Sequence, residues 1–205
     1  MMLLAHHSRL LQEQSAISAA LIEERGYYSA PTWLDLPPGQ FKSTQKRVEC
    51  FPALLIPQWP PSGESPYPQA RWDNPRVTLA GKEIRYDTPS GAKPRLDVPP
   101  RCRAGLSDPE LDLWVTEGSK KADSLASAGI IAVSLPGVWS WRTPSVQADF
   151  DSIVFHGRRV VVAFDSDMLT KPKVRLAIVR FGLWLKNRQA NTCVADWSAV
   201  LGVAS

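Results

Sequence analysis

Three carboxylates follow two apolar segments that have the composition of buried strands. "LDLWVT" is followed by Glu117, and "RRVVVAF" is followed by Asp165 and Asp167. In extended chain, residues two apart point to the same side. Carboxylates that meet at one edge of a sheet repel each other unless a cation joins them, and oxygen ligands without cysteine or histidine suit Mg²⁺ or Mn²⁺. We therefore predict that Glu117, Asp165 and Asp167 bind Mg²⁺ or Mn²⁺.

In a second interpretation, the same acids are solvated residues without a ligand, because strands often end in acids where the chain enters solvent. The spacing alone leaves both interpretations open. Another acidic pair, Asp149 and Asp151 in "QADFDS", is interpreted as solvated residues of a loop.

Two lysines, Lys120 and Lys121, begin the segment "SKKADSLASA", which has a helical pattern. A helix N-terminus favours anions, and lysines there add positive charge. We predict that they contact a phosphate held by the metal, although lysines in a first helical turn are also commonly just exposed. Ser119 is the predicted N-cap of this helix, and Gly129 the residue just beyond its end.

The pattern of the segments around these residues predicts an α/β fold. In residues 108–205, segments that are apolar throughout alternate with helical segments, of which "KVRLAIVRFGLWLKNRQA" is the longest. This alternation indicates a parallel sheet covered by helices on both faces. Ligands of such sheets bind beyond the carboxyl ends of the strands, which is where the three acids fall.

Two further regions precede this domain. Residues 1–30 are predicted to form short helices, the second capped by Ser15 or Ser18 and stopped by Gly26. Residues 31–107 contain most of the 18 prolines, which predicts hairpins and extended loops with proline at edges and turns. The predicted domains are therefore 1–30, a basic proline-rich region 31–107, and 108–205.

The basic region favours DNA as a partner, since its cations are interleaved with Trp72 and Tyr86. An ordinary solvated surface is the alternative. In "GVWSWR", Trp139 and Trp141 either stack on bases or pack in the core. The predicted phosphate and nucleic-acid contacts are Lys120, Lys121, Arg71, Arg76, Arg85, Arg95 and Arg142.

Composition excludes several other classes of protein. The chain has 205 residues, a net charge of +4 and three widely separated cysteines, which indicates reduced thiols rather than a zinc site. His6, His7 and His156 are interpreted as isolated. The chain contains no G-x-x-x-x-G-K-[ST] motif for a P-loop. No apolar run is long enough to cross a membrane, so we expect no membrane association and a cytoplasmic location.

A family resemblance makes these expectations more specific. "WVTEGSKKADSLASAGI" followed by "VVVAFDSD" resembles the Toprim domain of bacterial primases, topoisomerases and related nucleases, over about residues 111–190. "TEGSKKAD", "LPGVWSWR" and "AFDSD", with the upstream "RYDTPSGAKPRLDVPP", resemble more narrowly a Toprim-like domain of unknown function. That domain occurs in replication proteins of plasmids, phages and integrated elements, often ahead of a helicase. The resemblance implies that Glu117 is the acid/base glutamate and that Asp165 and Asp167 bind the metal.

The expected function is primase-type nucleotidyl transfer on DNA by a divalent-metal-dependent domain of a mobile-element replication protein, with a replicative helicase as a partner. Two alternatives stay open: a Toprim-type metal-dependent nuclease, and a non-catalytic nucleic-acid-binding module that recruits a helicase. The family pattern continues with a further glycine- and acid-containing segment, whereas this sequence stops at "NTCVADWSAVLGVAS". We therefore expect a truncated C-terminus, and this truncation affects the expectation of catalytic activity more than the expectation of the fold.

Overall fold

The computed structural model describes residues 2–42, 48–78, 80–164 and 171–195. The chain forms two compact units. The first unit comprises Met1–Trp59 and Glu64–Lys93, and the second comprises Pro60–Gly63 and Pro94–Ser205. The three domains proposed from composition stay a prediction. None of the helices in the described residues combines the length and the apolar character needed to span a membrane.

The first unit begins with short helices. Helix α1 spans Ala5–Arg9 and continues into a π-helical turn, and helix α2 spans Ala19–Arg25. The predicted cap is present, since the Ser18 hydroxyl accepts a hydrogen bond from the Leu21 amide at 3.3 Å. The predicted stop is also confirmed, because Gly26 ends α2 with a left-handed φ of 82°, which glycine adopts at little cost.

Four antiparallel strands complete the first unit and confirm the predicted hairpins. Their order in the sheet is β1-β2-β3-β4. The strands are β1 Tyr28–Ala30, β2 Ala53–Gln58, β3 Tyr67–Val77 and β4 Glu83–Asp87. Trp72 of β3 is fully buried in the core, where Phe41 and Phe51 pack edge-on against its ring. The suggestion that Trp72 is interleaved with surface cations is therefore wrong.

The second unit contains the predicted parallel sheet. Its four strands lie in the order β6-β5-β7-β8, and each neighbouring pair is parallel. The strands are β5 Leu113–Glu117, β6 Ile131–Leu135, β7 Arg159–Ala163 and β8 Asn191–Val194. Because β5 comes first in sequence among these four strands but has β6 on one side and β7 on the other, the direction of winding reverses at β5.

In the described residues, three α-helices connect these strands. They are α3 Ser119–Ser127, α4 Pro144–Phe150 and α5 Pro172–Asn187. Right-handed crossovers combined with the reversal at β5 place α3 on one face and α4 and α5 on the other. The contact between Phe150 of α4 and Trp184 of α5, with ring centroids 4.9 Å apart, agrees with this arrangement.

Helix α4 differs from the loop that the sequence predicts around "QADFDS". It has only seven residues, and just two apolar side chains, Val146 and Phe150, are buried on it. One pair of apolar residues four apart is too short a pattern to indicate a helix. Pro144 at its first turn is compatible with a helix start, because that position needs no backbone donor.

An aromatic cluster fills the face of the sheet under α4 and α5. Phe164 follows β7 directly, is 1% exposed, and stacks on Phe181 of α5 with centroids 6.3 Å apart. Phe181 in turn stacks on Trp184 at 5.8 Å. The packing of Phe164 therefore anchors the carboxyl end of β7.

Candidate active site and nucleic-acid contacts

Glu117 is the last residue of β5 and is half-buried. The register pairs Glu117 with Leu135 of β6 and the preceding Thr116 with Ala163 of β7. All three strands run the same way, so their carboxyl ends meet at one edge. Glu117 therefore lies at the point where the winding reverses, which is the usual ligand position of a doubly wound sheet.

The turn after Glu117 depends on Gly118. Its φ of 77° lies in the left-handed region, where residues with a side chain are strained. The Gly118 amide donates to the Leu135 carbonyl at 3.2 Å, and its carbonyl accepts from the Lys121 amide at 3.2 Å. Gly118 is therefore the N-cap of α3, and the predicted cap at Ser119 is wrong, because Ser119 is the first helical residue.

The other two predicted metal ligands, Asp165 and Asp167, lie outside the described residues. Phe164 precedes them in the sequence and is described. Of the three predicted carboxylates, the structure therefore describes Glu117 alone, and the assignment of Mg²⁺ or Mn²⁺ stays a prediction.

The predicted phosphate contacts nearest to Glu117 in sequence are on α3. Lys120 and Lys121 lie in its first turn, Lys120 half-buried and Lys121 exposed. They follow Glu117 by three and four residues, and the glycine turn joins them to it. A role for these lysines in phosphate binding stays a prediction.

In the first unit, two of the predicted DNA-contacting arginines bind carboxylates of their own sheet. Arg76 forms a two-pronged ion pair with Asp87, with Nε and Nη2 at 3.1 and 3.0 Å, and this hydrogen bonding raises the pKa of Arg76. Asp87 also accepts a hydrogen bond from the indole of Trp72 at 2.9 Å. Arg71 lies 3.5 Å from Asp73 and is 16% exposed. Both arginines thus contribute to the packing of the sheet.

Arg85 of β4 is more accessible than these two. Its side chain is 41% exposed, and its ion pair with Glu83, itself exposed, is long at 3.5 Å. Exposed pairs of this kind hold a side chain weakly, so Arg85 can exchange Glu83 for another anion.

Arg95, in the second unit, is a structural cation. Its Nε and Nη2 donate to both oxygens of Asp149, the shortest distance being 2.7 Å, and Nη2 also donates to the Ser62 hydroxyl. Asp149 is only 2% exposed and accepts a further hydrogen bond from the Leu96 amide at 2.8 Å. The interpretation of Asp149 as solvated is therefore wrong, because α4 carries it into the interior. Asp151 is exposed and pairs with Arg188 at 3.0 Å.

The two tryptophans of "GVWSWR" separate into different environments. Trp141 is 7% exposed and packs against Phe181 and Trp184, with centroids 5.6 and 5.9 Å away. It is a core residue, as the second of the two interpretations held. Trp139 is half-buried and is therefore less enclosed than Trp141.

Two guanidinium groups lie over the ring of Trp139. Arg142 is 5.7 Å from the ring centroid and Arg180 of α5 is 5.9 Å from it, and both arginines are exposed. Arginine and an indole together suit single-stranded nucleic acid, since both stack on bases and the cation attracts phosphate. Arg180 was missed, because no short-range pattern links it to residues nearly forty positions earlier.

The histidines near the N-terminus are also brought together with an acid. His6 Nε2 is 2.6 Å from Asp73 Oδ2, and His7 Nε2 is 3.0 Å from Asp73 Oδ1. His7 is fully buried, and its Nδ1 lies 2.7 Å from the Ser29 hydroxyl. Burial lowers the pKa of His7, although the hydrogen bond with Asp73 acts in the opposite direction. The interpretation of His6 and His7 as isolated is wrong, because β3 supplies their partner from a distant part of the sequence.

The fold is that of bacterial primase catalytic domains. The structure is similar to the zinc-binding and RNA polymerase domains of the Aquifex aeolicus primase, with a TM-score of 0.62 and 15% identity, over 93% of this chain and 49% of that one. It is also similar to the RNA polymerase domain of Mycobacterium tuberculosis primase DnaG, with a TM-score of 0.60 and 16% identity, over 94% of this chain and 69% of that one. A DnaG primase catalytic domain bound to ssDNA gives a TM-score of 0.55 at 16% identity, over 86% of this chain and 58% of that one.

The family and the relative that match in sequence are described without an activity. Residues 104–203 match the family described as a domain of unknown function, DUF3854. An uncharacterized protein of Picosynechococcus sp. is 33% identical over an alignment of 109 residues, which covers 45% of this chain and 11% of the relative. The chain therefore spans only about a tenth of the length of this curated relative.

Proposed function

We propose that this chain is a primase-type nucleotidyl transfer domain of the Toprim class, which acts on DNA and depends on Mg²⁺ or Mn²⁺. The observation that carries the proposal is the position of Glu117 at the winding reversal of a parallel sheet whose fold is that of primase catalytic domains. The "TEGSKKAD" and "AFDSD" segments support the Toprim class through their resemblance to that domain.

The donor set fits a hard divalent cation. Glu117 provides a carboxylate at the end of β5, and Asp165 is the residue after Phe164, whose strand β7 is the parallel neighbour of β5. Carboxylate oxygens without cysteine or histidine suit Mg²⁺ and Mn²⁺. We assign Asp165 and Asp167 to holding the ion, which when bound neutralises charge that builds up on the reacting phosphate oxygens.

Glu117 is proposed as the acid/base group. A carboxylate at this strand end can accept the proton of an attacking sugar hydroxyl, provided that the hydroxyl comes within hydrogen-bonding distance. Lys120 and Lys121, which follow on α3, are proposed to attract the triphosphate of the incoming nucleotide. The half-buried position of Glu117 supports this role, because a partly dry site strengthens each of these electrostatic interactions.

DNA binding is proposed to rely on the exposed arginines rather than on all of the arginines and lysines predicted to contact nucleic acid. Arg142, Arg180 and Trp139 form one group of suitable chemistry in the second unit, and Arg85 offers an exposed cation in the first. Arg71, Arg76 and Arg95 already bind carboxylates and are proposed to act by holding the fold. Single-stranded or primed DNA is the expected ligand, since aromatic and arginine side chains stack on unpaired bases.

The proposed biological setting is the replication of a plasmid, phage or integrated element, with a replicative helicase as partner. This setting rests on the resemblance of "LPGVWSWR" and its neighbouring segments to the Toprim-like domain of such replication proteins. The partner would be tested by co-purification with a helicase encoded beside this chain.

A synthesis assay tests the proposed chemistry. The protein is incubated with single-stranded or primed DNA, nucleotides, and Mg²⁺ or Mn²⁺, and both new strands and cleaved strands are scored. Glu117→Gln keeps the shape of the side chain and removes its charge, so it should abolish synthesis while DNA affinity changes by less than about twofold. Glu110→Gln is the matched control, because Glu110 is exposed and lies in the loop before β5; it should retain full activity.

The outcomes of this assay distinguish the alternatives. If the wild type cleaves DNA in a metal-dependent way but makes no new strands, and if Glu117→Gln abolishes this cleavage, the chain is a nuclease rather than a primase. DNA binding without turnover in either metal would leave a non-catalytic binding module. Synthesis that survives Glu117→Gln would contradict the role assigned to Glu117.

A further inference from the structure

We propose that His6, His7 and Asp73 form a binding site for a divalent transition-metal ion of the zinc type in the first unit. The site involves none of the residues assigned to catalysis, so the proposal is independent of the proposed function. The chemistry of the donors also separates it from the site predicted at Glu117, which has oxygen ligands only.

The geometry brings three ligand atoms together from two elements. One ring nitrogen of His6, one ring nitrogen of His7 and one carboxylate oxygen of Asp73 all lie within 4.8 Å of one another. The two histidines come from α1 and the aspartate from β3. In a tetrahedral zinc site with bonds of about 2.0–2.2 Å, ligand atoms lie about 3.3–3.6 Å apart. Asp73 accepts hydrogen bonds from the two rings at 2.6 and 3.0 Å, so these atoms need only small displacements to bind a shared ion.

The second observation is the hydrogen bond on the far side of His7. Its Nδ1 lies 2.7 Å from the hydroxyl of Ser29, and this hydroxyl also accepts from the Leu4 amide at 2.8 Å. A serine oxygen has two acceptor positions, so it can accept from Nδ1–H of His7 while Nε2 binds metal. Metal-binding histidines usually have such an outer partner, which fixes the ring and its tautomer.

The site is open on one side. His7 is fully buried, whereas the side chain of His6 is 46% exposed and that of Asp73 is 19% exposed. An ion can therefore enter past His6, and water can supply the fourth ligand. Two imidazoles and one carboxylate favour Zn²⁺, Co²⁺, Ni²⁺ or Cu²⁺ over Mg²⁺ and Ca²⁺.

One neighbouring charge opposes a cation. Arg71 Nη1 lies 3.5 Å from Asp73 Oδ1 and shares the negative charge on which the ion depends. Removing this arginine charge should therefore tighten metal binding, and this effect distinguishes a real site from histidines that merely pack against an aspartate.

Cobalt titration of the full chain tests the site. Co²⁺ bound by nitrogen and oxygen gives visible ligand-field absorption, and coordination by any of the three cysteines would add thiolate absorption in the near ultraviolet. We expect one Co²⁺ per chain without the thiolate band, displaced by one Zn²⁺. His156→Ala removes the remaining exposed histidine and should leave binding unchanged.

Three variants supply the decisive comparisons. His6→Ala removes an exposed ligand and should weaken Co²⁺ binding at least tenfold while the unliganded protein stays folded by circular dichroism. Ser29→Ala should weaken binding about 10–100-fold without removing a ligand, and Arg71→Gln should tighten it. Absence of binding in the wild type, equal binding in His6→Ala, or a thiolate band that accounts for the bound cobalt would overturn the proposal.

Discussion

Replacing Arg95 by alanine is expected to destabilise the second unit by about 3 kcal/mol. The substitution removes the Nε and Nη2 donors from Asp149, which is 2% exposed and retains only the Leu96 amide among its described hydrogen bonds. Removing one partner of a buried ion pair costs about 3–5 kcal/mol, because the other charge stays buried. The retained amide and the 17% exposure of Arg95 favour the lower end of that range.

Urea unfolding measures this loss, and hydrogen exchange of peptides from α4 and β6 assigns it to the second unit. Arg85→Ala is the matched control, since the Arg85–Glu83 pair is exposed at both ends. An exposed pair contributes about 0–1 kcal/mol, so this control should unfold almost as the wild type does. DNA affinity, measured where both variants are folded, should fall for Arg85→Ala and change little for Arg95→Ala.

Replacing both partners provides a further test of the buried pair. An Arg95→Leu and Asp149→Leu double variant leaves no buried charge and should recover part of the stability that Arg95→Ala loses. A free energy of unfolding for Arg95→Ala within about 1 kcal/mol of the wild-type value would contradict a structural role for the pair, because a broken buried pair costs about 3–5 kcal/mol. A loss of DNA affinity in Arg95→Ala with unchanged stability would also contradict that role, since Arg95 would then be a phosphate contact.

Two other substitutions test the strand end and the nucleic-acid contacts. Gly118→Ala should lower the free energy of unfolding by about 1–3 kcal/mol and reduce synthesis, because its φ of 77° strains a residue with a side chain although the added Cβ meets no neighbour. Gly137→Ala is the control, since its added Cβ also meets no neighbour and the substitution should be nearly neutral. Equal urea-unfolding curves for the two variants would contradict the strain at Gly118. Arg142→Ala should weaken DNA binding across sequences and reduce the slope of log K against log salt by about 1, whereas Arg159→Ala, which removes a pair with Asp112, should not; an unchanged slope for Arg142→Ala would contradict a phosphate contact.

The parallel sheet could be predicted because its signal is local. Strands β5, β6 and β7 are mostly apolar and mostly buried, which is typical of strands covered on both faces, and α5 carries a buried stripe with the helical period. Ile178, Phe181 and Leu185 on that stripe are all 8% exposed or less. Helix α4 was missed because it is too short to show a period.

The roles of the charged and aromatic residues could not be read from composition. A sequence gives the number of cations but not their partners, and Arg95 lies 54 residues from the carboxylate it binds. The same limit applies to His6, whose partner Asp73 is 67 residues away. Trp72 and Trp141 occur in segments with surface-like neighbours, yet tertiary packing buries both.

At each of the two strand ends that lead to the proposed acids, the residue next to the acid in sequence makes a contact that holds the backbone. Glu117 is followed by Gly118, whose amide is bonded to Leu135 of the neighbouring strand. Asp165 is preceded in sequence by Phe164, which is buried against Phe181 of α5. Catalysis of phosphoryl transfer depends mainly on positioning, so packing contacts beside the proposed reacting groups are expected to matter for the proposed activity. A substitution of Phe164 that leaves the fold intact is therefore expected to impair synthesis in the same assay, although Phe164 is only 1% exposed and does not offer a surface to nucleotide or DNA.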